Sequence, residues 1–357
     1  MKRATITAGI TASALALILG ACGSSSKPAA TATGGSASTA ASGPITVKIM
    51  VGGLDKQIYL PFKLAEQLGF SKQQGLNLQL LDEPAGVDAT TAMLAGQVDG
   101  VGGFFDHTID LQGLGKAAES VVSMLQVPGE VELCRSDLKG TVNSPADWKG
   151  RKLGVTDLGS STDFLTQYLA VKNGLKPSDI SRLGVQAGPT FIAAMTHKSI
   201  DCGMTTEPTV SALLANNQAY IIADMRTASG AQQALGGTYP ATSLYMSTSY
   251  VQSHPEAVQK LVNTYVKTLK WIQSHTAAEI TDQMPADYYT GVGKAAYVAA
   301  LDGEKGIYNP TGIMPADGPP TNLNVLSAFN PDVKGHTIDL SKTYTDQFVQ
   351  VALKQNG

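Results

Sequence analysis

Two stretches of this chain, about a hundred residues apart, carry the same order of strand- and helix-forming segments. That duplication limits the fold more than any other feature. Residues 45–51 read as a strand, a Gly52-Gly53 loop follows, and residues 60–68 read as a helix. Residues 76–81 alternate as a second strand, and a helix around 89–94 leads to a short apolar strand at 98–102. The series then returns as strand 152–155, helix 161–172, strand 182–186, helix 191–196 and strand 200–204. Leu64-Ala65 with Gly69-Phe70 reappears as Leu169-Ala170 with Gly174-Leu175, at an offset of 105. Ala92-Met93 with Val98-Asp99 reappears as Ala194-Met195 with Ile200-Asp201, at an offset of 102. In each copy the glycine suits a left-handed helix C-cap. Alternating strands and helices predict an α/β protein, and two copies predict two similar lobes across a cleft.

Composition narrows the classes. At 357 residues with 43% hydrophobic and 15% charged side chains, the chain has material for about two domains and is not broadly disordered. A net charge of -3 excludes a broadly basic nucleic-acid binder. Three cysteines without a C-x-x-C pair offer no structural zinc site, and Cys134 and Cys202 could pair or stay as buried thiols. His107, His197, His254, His275 and His336 lack metal spacing and read as surface or structural histidines. No metal, phosphate-binding loop or cofactor is expected.

The first 44 residues read as an address. Lys2 and Arg3 precede an apolar run, residues 10–19, that is too short to span a membrane comfortably. It ends in Leu19-Gly20-Ala21-Cys22, which resembles the lipobox of bacterial lipoproteins. That resemblance implies a signal peptide over 1–21 and lipidation at Cys22. Residues 23–43 contain no large apolar side chain, so 22–44 read as the lipidated cysteine and a flexible tether.

Further motifs carry a family resemblance. Trp148 to Val155, Gly159-Ser160-Ser161, Gly174 to Ile180, Ile200-Asp201 and Glu207-Pro208 resemble, in order and spacing, bacterial solute-binding proteins of the nitrate/sulfonate/taurine type. That family also includes binders of thiamin pyrimidine precursors. Lys198-Ser199 departs from it where a glycine is usual. The resemblance covers about residues 45–275. It implies an α/β fold of two lobes joined by a hinge, like a type II periplasmic binding protein, with the ligand in the interlobe cleft. Residues 45–128 plus 239–357 would form lobe 1 and 129–238 lobe 2, with 242–247 returning as a strand. Residues 255–274 read as a helix on their apolar spacing, and 309–331 read as loop. The implied function is an extracytoplasmic component of an ABC importer: a monomer that captures a small molecule and delivers it to a membrane permease. The related fungal pyrimidine synthases use a cysteine-rich motif absent here, so no catalytic residue is expected. A sensor without transport is a further alternative.

In such lobes ligands gather at the carboxyl ends of strands. Gly53, Leu54 and Asp55 follow the first strand, where Asp55 could bond a ligand or cap a helix. Gly86 and Asp88 follow the second. Gly159, Ser160, Ser161 and Thr162 open a helix and offer hydroxyls and free N–H groups, or simply an N-cap. Phe104 and Phe105 follow the third strand; one could face a planar ligand and the other the core. Glu207 holds the matching place in the second copy, as ligand partner or rim salt bridge. Tyr245 and Gln126 sit near the crossings. Arginines beyond the leader are confined to Arg135, Arg151, Arg182 and Arg226, which favours a neutral or zwitterionic ligand over a strong anion held by guanidinium.

Overall fold

A computed structural model describes residues 43–355; the expected signal segment, Cys22 and nearly all of the tether lie outside them. The strands are β1 (Ile45–Val51), β2 (Leu76–Asp82), β3 (Gly100–Phe104), β4 (Ala118–Ser123), β5 (Glu130–Arg135), β6 (Lys152–Val155), β7 (Ser181–Gly184), β8 (Cys202–Thr206), β9 (Ala219–Asp224) and β10 (Thr242–Ser247). They form two five-stranded sheets, ordered β2-β1-β3-β10-β4 and β7-β6-β8-β5-β9.

The repeat in the sequence is a repeat in topology. In the first sheet β1 pairs in parallel with β2 and β3, and β10 lies antiparallel to β3 and β4. In the second, β6 pairs in parallel with β7 and β8, and β5 lies antiparallel to β8 and β9. The parallel strands are linked through helices, as a crossover between parallel strands requires. Each antiparallel strand is reached by a crossing of the chain, β5 before the second parallel set and β10 after it. The result is the α/β, two-sheet architecture of periplasmic-binding-protein type, with each sheet buried by its own helices.

The Pro255–Ser274 helix matches its apolar spacing: Val258, Leu261, Val262, Tyr265, Leu269 and Ile272 are all buried. It packs against the Leu60–Gln67 helix and the C-terminal Gln347–Gln355 helix. Cys134 and Cys202, left open by the sequence, are facing residues of the antiparallel β5–β8 pair and form a disulfide.

One expectation is corrected. Residues 309–331, taken as loop for their prolines and glycines, contain the Gly318–Phe329 helix with Pro at its start. Proline is tolerated there because the first N–H groups of a helix have no internal partner anyway. Its Leu323, Leu326 and Phe329 pack with Phe105 and Phe164, and the Phe164 and Phe329 rings lie 6.0 Å apart. The helix thus braces the Ser161–Lys172 helix of the second sheet. Boundaries also shift: β3 and β8 each start and end two residues later than expected, so Phe104 is the last residue of its strand rather than beyond it. Among the described residues no helix is long and apolar enough to cross a membrane.

Candidate functional site

The carboxyl ends of β1, β2 and β3 face those of β6 and β8, and a small cavity lies between them. It holds about 20 Å³, on the scale of one water molecule. The first sheet contributes Gly52, Lys56, Ile58 and Tyr59 after β1, Gly86 after β2, and Phe104 and His107 at the end of β3. The second contributes Glu130 on β5, Thr156, Ser160, Ser161 and Thr162 after β6, and Thr206 at the end of β8.

Two glycines set how tightly the first wall closes. A Cβ on Gly52 would stand 3.2 Å from both the Tyr59 hydroxyl and Gly86 Cα, and one on Gly86 would stand 3.0 Å from His107 Nε2. Lys56 is buried, and its ammonium donates to the carbonyls of Gly52 at 2.7 Å and Pro84 at 2.9 Å. Burial lowers its pKa, opposed by the nearby charges of Asp55 and Glu130. Its Nζ lies 5.9 Å from the centre of the Tyr59 ring, which meets Phe104 edge-on at 6.5 Å.

The second wall opens on the Ser161–Lys172 helix. The N–H groups at a helix start have no carbonyl within the helix, and the dipole there favours negative charge. Ser160 precedes the helix in extended conformation but makes no side-chain cap; its hydroxyl instead faces the Val87 N–H at 3.5 Å. Ser161 Oγ donates to Asp106 Oδ1 at 2.9 Å, and the Tyr239 hydroxyl donates to Asp106 Oδ2 at 2.7 Å. Thr162 Oγ1 accepts from the Thr156 N–H at 2.9 Å and so closes the loop after β6.

Opposite Lys56 stands Glu130, register partner of Thr206 in the β5–β8 pair. Glu130 Oε2 and Thr206 Oγ1 are buried and have no hydrogen-bond partner among the described residues. Burial, reinforced by the charge of Asp106, raises the Glu130 pKa well above the ordinary glutamate value, while Lys56 opposes the shift. Burial also raises the pKa of Asp106. An unsatisfied buried acceptor costs free energy that a donor group brought by a ligand would recover.

The structure thus brings Gly86, Phe104, Ser160, Ser161 and Thr162 together and places the other candidates elsewhere. Gly53, at φ +108, is packed on the Lys56 side chain behind the cavity. The Leu54 N–H is held by Asp82 Oδ1 at 2.7 Å. Asp55 caps nothing, since the short turn after it has no side-chain cap, and it lines an outer groove instead. Asp88 is a first-turn acid of the Gly86–Leu94 helix. Gly159, at φ +86, turns the chain into the helix and donates its N–H to Asp163 Oδ2 at 2.9 Å. Phe105 belongs to the core, edge-on to Tyr344 at 6.2 Å. Gln126 lies in the first crossing, where its N–H bonds Ile307 O. Glu207 is fully buried and taken by Arg226 at 2.6 Å and by the Ser211 N–H at 3.0 Å. The Tyr245 hydroxyl is paired with Thr90 Oγ1 at 2.5 Å, behind the His107 ring.

Lys56, Tyr59, His107, Glu130 and Thr206 were not singled out from the sequence. A usable signal existed for one of them: Glu130 and Glu132 alternate within β5, a strand whose every residue is buried. Charged residues are almost never fully buried without a partner or a task.

Comparison with known proteins agrees with this architecture. A protein of Bordetella bronchiseptica RB50 superposes with a TM-score of 0.84 at 35% identity, covering 87% of this chain and 98% of that one. The alkanesulfonate-binding protein SsuA from Xanthomonas axonopodis pv. citri, bound to MOPS, superposes with a TM-score of 0.66 at 20% identity, covering 86% of this chain and all of that one. In sequence, the chain is 27% identical over 226 residues to the Saccharomyces cerevisiae 4-amino-5-hydroxymethyl-2-methylpyrimidine phosphate synthase THI11, over 60% of this chain and 63% of the enzyme. The chain therefore spans less than two thirds of that relative's length. The match that decides membership runs from residue 58 to residue 278, more than half of the chain, and by it the protein belongs to the NMT1/THI5-like family.

Proposed function

We propose that the protein is the ligand-capturing component of an ABC-type importer, held outside the cytoplasm by lipid at Cys22, and that it hands a small organic solute to a membrane permease. The carrying observation is Glu130 Oε2, buried without a partner in a cavity whose other wall holds Lys56 and which the start of the Ser161–Lys172 helix also lines. A solute with an oxyanion or carbonyl-type acceptor at one end and an N–H donor at the other satisfies both walls. Taurine-type aminosulfonates have that form, as do amino-substituted heterocycles. Nitrate or a simple sulfonate brings no N–H donor for Glu130 Oε2. The alkanesulfonate binder among the structural neighbours supports the binding role, and Tyr59 and Phe104 support a planar or apolar flank.

A cavity of about 20 Å³ admits no such solute without opening. The two sheets therefore part to load and close to hold, and the ligand shifts that equilibrium by its preference for the closed form.

The test is a thermal-shift panel of taurine, alkanesulfonates, nitrate and aminopyrimidines, followed by incubation of any hit to look for turnover. A saturating ligand at 100-fold its Kd adds about 2.7 kcal/mol of stability. Stabilisation by solutes with both donor and acceptor, without product, supports the reading. A response to nitrate alone, or conversion of the ligand, overturns it.

A further inference from the structure

We propose that the groove outside Lys56 receives an apolar substituent of the bound solute, so that the protein selects molecules with a small polar head and an apolar tail. The inference rests on the preceding reading, in which the inner cavity takes the head. The groove holds about 270 Å³ against about 20 Å³ inside, and Lys56 lines both spaces. Small-molecule sites run to about 300–1,000 Å³, so the inner cavity supplies little of the room and the groove most of it.

The groove is walled from three parts of the chain: Ile192 on the Pro189–Thr196 helix, Pro208 after β8, and Tyr288 with Val292 ahead of the Lys294–Glu304 helix. All four are half-buried, whereas the groove's carboxylates, Asp55 and Asp287, are exposed at its rim. Such a surface favours a hydrocarbon group in its centre and water at its edge.

Lys56 sets the direction of the bound molecule. Two of its N–H bonds are directed at Gly52 O and Pro84 O, which leaves a third for an acceptor on the ligand. A head bonded there and donating toward Glu130 points its remaining substituent past the lysine stem into the groove. Hydrocarbon moved from water into this space tightens binding about fourfold per methylene.

The experiment is isothermal titration of the protein with taurine and N-alkyltaurines from methyl to hexyl. Alkanesulfonates and alkylamines of the same lengths are run in parallel. Ile192→Asp and Val292→Asp, on separate walls, are compared with the wild type, and circular dichroism confirms that at least one of them is folded. The expected result is an affinity rising about fourfold per methylene in the wild type. That slope should flatten in the folded variants, while the shortest member binds all proteins alike. Affinity independent of chain length, or an unchanged slope in the variants, overturns the groove assignment; binding of taurine in that case leaves the head-group site standing. Failure of every series to bind rejects both.

Discussion

Asp106, first residue of the helix after β3, accepts a 2.9 Å hydrogen bond from Ser161, first residue of the helix after β6. Each sheet thus contributes the start of one of its own helices to a single buried contact. Tyr239, on the segment that leads the chain back toward β10, donates to the other oxygen of the same carboxylate. Both walls and a crossing segment meet at one aspartate.

Replacing Ser161 with alanine removes the donor that joins the walls and leaves Asp106 Oδ1 buried without it. A hydrogen bond to a charged group contributes about 1.5–3 kcal/mol. Ser161→Ala should therefore weaken ligand affinity by at least tenfold, with a smaller loss in the melting temperature of the free protein. An unchanged affinity in titration calorimetry would show that this bond does not hold the closed form.

Glu130 should trade stability for binding. Glu130→Leu removes a buried carboxyl that lacks a donor, so the ligand-free protein should melt at the same temperature or higher. The same change should weaken a ligand with an N–H donor by about 5- to 160-fold, as a lost buried hydrogen bond of about 1–3 kcal/mol implies. Lower stability with unaltered affinity would place Glu130 in the scaffold instead.

Gly86 opens the Gly86–Leu94 helix, where alanine would otherwise be the better helix former. Its new Cβ would meet His107 Nε2 at 3.0 Å. Gly86→Ala should leave the melting temperature nearly unchanged and weaken binding by about tenfold or more, since a well-packed site feels a single added carbon. A melting scan and a titration on the same preparation separate the two effects.

Glu304 is buried, with neither carboxylate oxygen partnered among the described residues. Burial, aided by the charge of Glu207, raises its pKa well above the ordinary value, and Arg226 opposes the shift. Below the ordinary glutamate pKa the folded and unfolded chains are both protonated there. As the pH climbs past that value the unfolded chain releases its proton while the folded one keeps it, so stability falls by about 1.4 kcal/mol per pH unit until the folded pKa is reached. Glu130 and Glu132 carry shifts of the same sign. Glu304→Gln should thus gain stability relative to the wild type at pH 8 but not at pH 4. Urea unfolding at the two pH values reads the difference directly.

The fold was far more legible than the site, for a physical reason. Strands and helices announce themselves through local periodicity, and the Pro255–Ser274 helix has its expected bounds. Loops at the carboxyl ends of strands are likewise local, which is how Gly86, Phe104 and Ser160 to Thr162 could be found. Glu130 and Thr206 reach the cavity only because β5 pairs antiparallel with β8, a contact across more than seventy residues that no short pattern encodes. Glu207 misled for the converse reason: its matching place in the repeat is real, but Arg226, nineteen residues on, neutralises it.

The two crossings also fix an order of assembly. The second sheet is complete once β9 ends at Asp224, whereas the first, begun at Ile45, lacks its fourth neighbour until β10 ends at Ser247. As the chain leaves the ribosome, the half that starts first finishes last. Until then β3 and β4 have no strand between them to join them. No single cut divides the protein into two pieces that each own a whole sheet. Expressing the first half alone must splice across the second, whereas the strands of the second form one continuous stretch.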